Sequence, residues 1–156
     1  MSDDQQSRPP ERDFYEETLE EHRECMEVVS DLETFLGRQP DREGVWVGEL
    51  VDKLEHLGAT LRGHFEEEHD GLYVQLPIKF PRLSTRLTKL RAEHATILES
   101  LDGTLEKARR SQKPELYELR ELNAHVQLLV ATIRRHEAEE NEIVIEAHWD
   151  EVGVGD

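Results

Sequence analysis

Four segments of the chain repeat apolar residues every three or four positions, and this period limits the fold to long helices that share one core. The segments are 11–37, 50–72, 83–108 and 119–143. The first ends at Gly37 and Pro40, and the last follows Pro114, a residue favoured in a first helical turn. No segment alternates polar and apolar residues for long enough to predict a sheet. Short connections favour antiparallel neighbours, so we expect an all-α, antiparallel up-down-up-down four-helix bundle.

The length of 156 residues is typical of one domain. The periodic segments place the bundle at residues 11–148. Residues 1–10 and 149–156 lie outside the stripes, and we expect them to be flexible N-terminal and C-terminal tails.

The composition limits the classes of partner that this chain is expected to bind. The formal net charge of −17 disfavours nucleic acid and anionic membranes, because proteins that bind phosphate gain affinity from Lys and Arg. No stretch approaches the roughly 18–20 apolar residues of a membrane span. Cys25 is the single cysteine, which excludes an internal disulfide, and the acidic start lacks the features of a signal peptide. We therefore expect a cytoplasmic protein with no nucleic-acid or membrane partner.

A histidine pattern occurs twice within the apolar stripes. Each copy has a lone His, then a second His that is followed one helical turn later by a Glu, and the intervals are identical in the two copies. The copies are His22, His64 and Glu68, and His94, His136 and Glu140. A spacing of four puts the second His and the Glu on one helix face. Burying this set without a metal would be costly, so the repeat predicts one metal site built from two similar halves.

The types of donor atom limit which metal ions suit this site. Four imidazoles and two carboxylates are too many donors for one tetrahedral zinc, but they suit two ions bridged by carboxylates. The sequence offers no cysteine cluster for copper(I) or an iron–sulfur centre. We therefore predict two non-haem iron ions, bridged by oxide or hydroxide. Each would receive two His nitrogens and one oxygen each from Glu68 and Glu140, with positions left for a ligand such as dioxygen.

Histidines on separate helices can form one site only if they lie at the same height along the bundle. If the turns centre near positions 40 and 112, the paired His of each copy lies farther from its turn than the lone His does. The difference is roughly six residues in both copies, or about 9 Å along a helix. Uneven loops, the lean of side chains toward helix N-termini or a kink could absorb this difference.

The motifs His64-Phe-Glu-Glu-Glu68 and His136-Glu-Ala-Glu-Glu140-Asn, with His22 and His94, resemble the hemerythrin-like (HHE cation-binding) domains over nearly the entire chain. The resemblance implies a four-helix bundle around a non-haem di-iron centre that can bind dioxygen. Oxygen-carrying hemerythrins have a fifth histidine, four residues after the third-helix His, where this chain has Leu98. Their last carboxylate is also an Asp, one residue farther from its His. These departures favour sensing, redox chemistry or peroxide handling over simple oxygen carriage.

Other metal-site patterns fit less well. The ferritin-like Glu-x-x-His pattern occurs only at Glu66 and His69, and the His-Glu-x-x-His of zinc peptidases is missing from the sequence. We expect a protein that binds dioxygen, nitric oxide or a related small ligand, or that handles or senses iron. The alternative is a di-iron enzyme that acts on peroxide or dioxygen, and a structural metal is a third, weaker possibility.

We interpret the residues around the motifs mainly as surface or core residues rather than as metal ligands. The carboxylates Glu66, Glu67, Glu137 and Glu139 are interpreted as a solvated face, with Glu67 or Glu139 as a lesser alternative ligand. His56 is predicted at the surface. His69 is predicted to be exposed near a loop, with a contact to the site as the alternative. Cys25 is predicted to fill the core, and Phe65 to shield the site.

The repeat yields a direct prediction about metal content. Replacing His64 or His136 with Ala removes a nitrogen donor, so each variant should lose bound metal and have a loosened bundle. Metal analysis and thermal unfolding of the purified proteins check this. His56→Ala is the control, since His56 lies off the apolar stripe, and equal metal loss in all three variants would refute the assignment.

Overall fold

The computed structural model describes residues 10–41, 44–111 and 113–153, with side chains from Phe14 onward. The described residues form helices and no strand, which confirms the all-α prediction. The helices are α1 (Pro10–Leu36), α2 (Val45–Asp70), α3 (Leu72–Lys79), α4 (Ser84–Arg110) and α5 (Leu116–Gly153), with a 3₁₀ turn at Pro81–Leu83.

Four long helices surround the core. Helix α1 packs against α2 and α5, and α4 packs against the same two helices, so each long helix has two long neighbours. The short helix α3 contacts α2 and α4. Among the described residues, no helix combines the length and the apolar character that crossing a membrane requires. The cytoplasmic location stays a prediction from the sequence.

The connection before α2 determines where this helix begins. Gly44 has φ 91°, a left-handed conformation that glycine adopts without a Cβ penalty. The Asp41 carboxylate accepts hydrogen bonds from the backbone N–H groups of Val45 at 3.2 Å and Trp46 at 3.1 Å. These bonds satisfy two of the free donors at the helix start. They thereby fix where α2, the helix that carries His64, begins.

The loop predicted near His69 is reduced to one residue, Gly71. Gly71 is a single-residue break with φ −109°, its N–H still bonds to the Glu67 carbonyl at 2.9 Å, and α3 begins at the next residue. Pro77 lies inside α3, where a proline normally disfavours a helix. Burial of Leu72 and Leu76 against the bundle offsets the free-energy cost of this proline.

Helix α5 continues past the predicted boundary at residue 149. It ends at Gly153, and Ala147 is fully buried near this end. Lys79 forms an ion pair with Glu151, and Arg82 forms one with Asp150, so surface charges also bind the last turns to the segment around α3. Residues 1–9 and 154–156 lie outside the described residues, and the division into tails and bundle stays a prediction.

The apolar core is divided into two clusters. The larger lies among α1, α2, α4 and α5 and includes Val29, Leu54, Leu101 and Ile133. The smaller includes residues of α3 together with the start of α1, the start of α4 and the end of α5. Along α1, α4 and α5 the predicted site residues fall between residues of the two clusters, and Glu68 of α2 lies between Phe65 of the larger cluster and Leu72 of the smaller one. The site thus lies between two apolar layers.

The larger cluster should provide most of the packing stability. Leu101 is fully buried against Gly58, so Leu101→Ala should lower the free energy of unfolding by about 2–5 kcal/mol. Urea unfolding of the metal-free protein measures this. Leu128→Ala is the matched control because Leu128 is 68% exposed, and a change of less than about 0.5 kcal/mol is expected there. Similar losses in both variants would contradict the described core.

Candidate metal centre

Seven polar side chains are buried between the two apolar clusters, each at most 6% exposed. The structure brings together all six predicted site residues and adds one that the sequence analysis assigned to the surface. The seven are His22, His64, Glu68, His94, His136, Glu137 and Glu140.

The histidines form two pairs that match the two copies of the repeat. The rings of His22 and His64 have centroids 5.0 Å apart, and those of His94 and His136 are 4.8 Å apart. Counted from the end of α1 and the start of α2, His64 is still farther from the connection than His22 is. The offset is slightly smaller than the one expected from the sequence.

The Glu140 carboxylate reaches both pairs. Its Oε1 lies 2.5 Å from His136 Nε2 and 3.2 Å from His94 Nε2, while its Oε2 lies 3.1 Å from His22 Nε2. One carboxylate thus faces donors from both halves of the repeat. This is the placement that a bridging ligand requires.

Glu68 occupies the corresponding position on α2. Its Oε1 lies 3.2 Å from His64 Nε2 and 3.6 Å from His94 Nε2, and its Oε2 lies 3.4 Å from His22 Nε2. The two halves of the cluster therefore meet at two carboxylates, as the repeat predicted.

Glu137 is the residue that sequence reasoning missed. It is 1% exposed rather than solvated, with Oε1 3.2 Å from His64 Nε2 and Oε2 3.6 Å from His22 Nε2. The signal was present in α5, whose buried face carries adjacent pairs at a regular interval of two helical turns. These pairs are Leu129 with Val130, His136 with Glu137, and Ile143 with Val144. The other three carboxylates of the predicted solvated face, Glu66, Glu67 and Glu139, are exposed or half-buried.

Three of the four histidines have a partner for Nδ1, which leaves Nε2 facing the cluster. His136 Nδ1 lies 2.8 Å from the Glu93 carboxylate, and His22 Nδ1 contacts the Asn141 amide oxygen. His94 Nδ1 lies 3.0 Å from His69 Nε2, and the two rings stack. Such partners fix the tautomer and ring orientation of metal-binding histidines. The prediction of an exposed His69 is therefore wrong, and its alternative, a contact to the site, is confirmed.

Two aromatic residues line the cluster. The Tyr73 hydroxyl donates a hydrogen bond to Glu140 Oε1 at 2.6 Å. Burial, followed by the charges of Glu140 and Glu68, raises the pKa of Tyr73, so its hydroxyl stays a proton donor at neutral pH. Phe65 stacks on His94 with ring centroids 3.8 Å apart, which agrees with its predicted shielding role.

The protons of the cluster compensate for its buried negative charge. Burial and then the hydrogen bond to Glu140 raise the pKa of Glu68 to about 10. Burial acts against ionisation of Glu140 too, but hydrogen bonds to Glu68 and to three histidines hold its pKa well below the usual value. Burial disfavours charged His22, yet hydrogen bonds to Glu140 and Glu68 raise its pKa to about 11. The site thus retains protons where bound cations could neutralise the carboxylates.

The unpaired atoms provide a test of whether metal ions fit. Six buried nitrogen and oxygen atoms of the cluster lack a partner with hydrogen-bond geometry, although several lie within ion-pair distance of one another. They are His64 Nε2, His136 Nε2, Glu68 Oε1, Glu140 Oε2 and both oxygens of Glu137. Each such atom costs about 1–3 kcal/mol if it stays unpaired. Coordinated cations would satisfy them all, so the residues present fit a metal centre.

The donor atoms form two groups, each within 4.8 Å. One group is His22, His64, Glu137 and Glu140, and the other is His94, His136 and Glu140. Glu140 belongs to both groups. Glu68 lies outside these groups, but its short distances to His64 and His22 place it at the same centre.

The comparison with known families agrees with this geometry. The hemerythrin HHE cation binding domain matches residues 13–147, which includes every residue of the cluster. Comparisons with curated proteins and with solved structures give no match. The family match covers most of the helices, and the four histidines and the two repeated glutamates occupy one buried centre. The chain therefore belongs to the hemerythrin HHE cation-binding domain family.

Proposed function

We propose that this protein binds two non-haem iron ions at the seven-residue cluster and uses them to bind dioxygen, nitric oxide or a related small ligand. The observation that carries the proposal is the set of six buried, unpaired nitrogen and oxygen atoms contributed by both halves of the repeat. Imidazole and carboxylate donors together suit iron. The proposal also includes the alternating direction of the four long helices.

The donor groups suggest an unequal division between the two ions. His22, His64 and Glu137 would hold one ion, and His94 and His136 would hold the other, with Glu68 and Glu140 shared. The second group has fewer protein donors. It therefore leaves more positions for an external ligand. When bound, iron(II) supplies the electrons for reaction with dioxygen or peroxide.

The surroundings of His94 support a small uncharged ligand. A cavity of about 620 Å³ lies between α2 and α4 and is lined by His94, Phe65 and Leu98. Its walls are largely apolar, which favours a diatomic molecule over a charged substrate. The Tyr73 hydroxyl lies 3.5 Å from His94 Nε2.

The alternative function is a di-iron enzyme that acts on peroxide or dioxygen. Tyr73 favours this candidate, because its hydroxyl keeps a proton inside a buried site. Tyr73 is a candidate acid because packing places its hydroxyl beside Glu140. A measurement of catalytic turnover distinguishes the binding protein from the enzyme.

We expect the purified protein to contain about two irons per chain and to show the near-ultraviolet absorption of oxo-bridged iron. Metal analysis with an optical spectrum before and after reduction measures both. Little iron and stoichiometric zinc after expression in iron-rich medium would refute the iron assignment. After anaerobic reduction, a reversible spectrum with dioxygen supports a binding protein. Rapid catalytic loss of peroxide supports the enzyme.

Glu137 allows a sharper test of the site. Glu137→Gln removes a carboxylate donor that lies beside His64 and His22, so the affinity for one ion should fall by at least about tenfold while the metal-free protein stays folded. Thermal unfolding and metal titration measure the two effects. A loss of stability without a change in affinity would mean that Glu137 has only a structural role.

The control for this variant is Glu139→Gln, two positions away on the same helix. Glu139 is half-buried and lies 3.7 Å from Arg135, outside the cluster. Neither the affinity nor the stability should change by more than a small amount.

A further inference from the structure

A second, smaller cavity reaches the centre from the opposite side of α2. It has a volume of about 170 Å³ and lies where α1, α2 and α3 meet. Its lining includes Glu17 and Glu21 from α1, Glu67 and Glu68 from α2, and Gln75 from α3. Glu68 is both a wall of this cavity and a residue of the buried cluster. Glu68 therefore links this cavity to the buried site.

Three further carboxylates line this cavity. Glu17 and Glu67 are exposed and Glu21 is half-buried. Within the described part of the chain, none of the three forms an ion pair. Other surface glutamates do, as Glu33 does with Arg134 and Glu146 with Arg82. Unpaired charges of one sign around a cleft concentrate counter-ions there and speed their association.

Glu68 supplies an independent indication of a cation. Its side chain is 2% exposed, lines the cavity, and has an Oε1 without a hydrogen-bond partner. A buried carboxylate oxygen without a partner requires a cation or a proton. The carboxylates at the surface thus lead to a donor that is itself part of the centre.

The other openings have a different chemistry. The larger cavity beside His94 has Arg62 and Arg91 in its lining, and its walls are mainly apolar. A third cavity contains Glu139 and Glu142 together with Arg86 and Lys89, and no residue of the cluster lines it. Of these three cavities, only the one between α1, α2 and α3 has a lining that favours cations.

We propose that this acidic cavity is the route by which divalent iron reaches the centre, with Glu17, Glu21 and Glu67 attracting the hydrated ion and Glu68 taking it up. The inference rests on the proposed metal-binding function. A volume of about 170 Å³ has room for several water molecules at about 30 Å³ each, so the ion can enter partly hydrated. Glu68 then replaces water from within the site. The small ligand and the metal thus reach the centre from different sides.

The test measures the rate of metal loading into the whole metal-free protein by anaerobic stopped-flow absorbance, with Co²⁺ as the probe. Cobalt(II) binds nitrogen and oxygen sites at least as tightly as iron(II) and does not require oxidation to be seen. Glu17→Gln and Gln75→Lys change the charge of the mouth without altering a residue next to a ligand. Each should slow loading severalfold at low salt, and the combined variant by about tenfold or more. The final metal content should equal that of the unmodified protein.

Ionic strength and a matched control variant distinguish an effect of this cavity from a general effect of net charge. At about 0.5 M salt the rates of all proteins should converge, because screening shortens the range of the surface charges. The control is Glu106→Gln with Glu142→Gln, which removes two negative charges away from the acidic cavity and should leave the loading rate unchanged. Equal slowing in this control would overturn the route in favour of a general effect of net charge. Unchanged rates in the Glu17 and Gln75 variants would overturn it too.

The two proposals fail in different ways. If the unmodified protein binds no stoichiometric Co²⁺ at equilibrium, the metal-binding function itself is wrong. If it binds two ions and the mouth variants load at the normal rate, only the route is wrong.

Discussion

The burial of three carboxylates and four imidazoles between two apolar layers is the constraint on which the rest of this structure depends. The Glu140 carboxylate faces histidines of both halves, and the pKa of Glu68 is raised so that it keeps a proton beside it. Removing this many polar groups from water is unfavourable unless they are paired or bind a cation. The apolar clusters on either side must therefore provide the stability that the centre does not. Without a bound metal, the apolar clusters stabilise the fold and the centre does not.

The two halves of the centre are related by the sequence repeat but are not equivalent. Glu137 joins the group of His22 and His64, whereas among the described residues the group of His94 and His136 has only Glu140, and Glu93 contacts His136 at Nδ1, away from the cluster. The poorer half is the one with Tyr73 and the apolar cavity beside it. A difference in donor number thus coincides with a difference in access. This arrangement suits a centre in which one ion is held by the protein and the other keeps positions for a ligand.

The sequence predicted the long helices and six of the seven clustered residues because both follow from periodicity. An apolar stripe every three or four residues fixes which face of a helix is buried, and a spacing of four places His64 and Glu68 on that face. Reasoning failed where a contact joins different helices. Glu137 was assigned to the surface because Glu is usually solvated, and His69 because it precedes Gly71, whose neighbouring segment proved to be another helix. Asn141 and Glu93 carried no pattern that could connect them to a histidine.

The sequence by itself determined the helical class, the family resemblance and the repeated ligand set, since each depends on spacing within one helix or on residue type. The tertiary structure alone decided which donors share a centre and which oxygens stay unpaired. It also decided which partner holds each Nδ1 and on which sides the centre is open. These properties depend on the relative heights and rotations of four helices. Those are set by residues at helix starts, such as Asp41 and Gly44, and by packing across the core, which no single segment specifies.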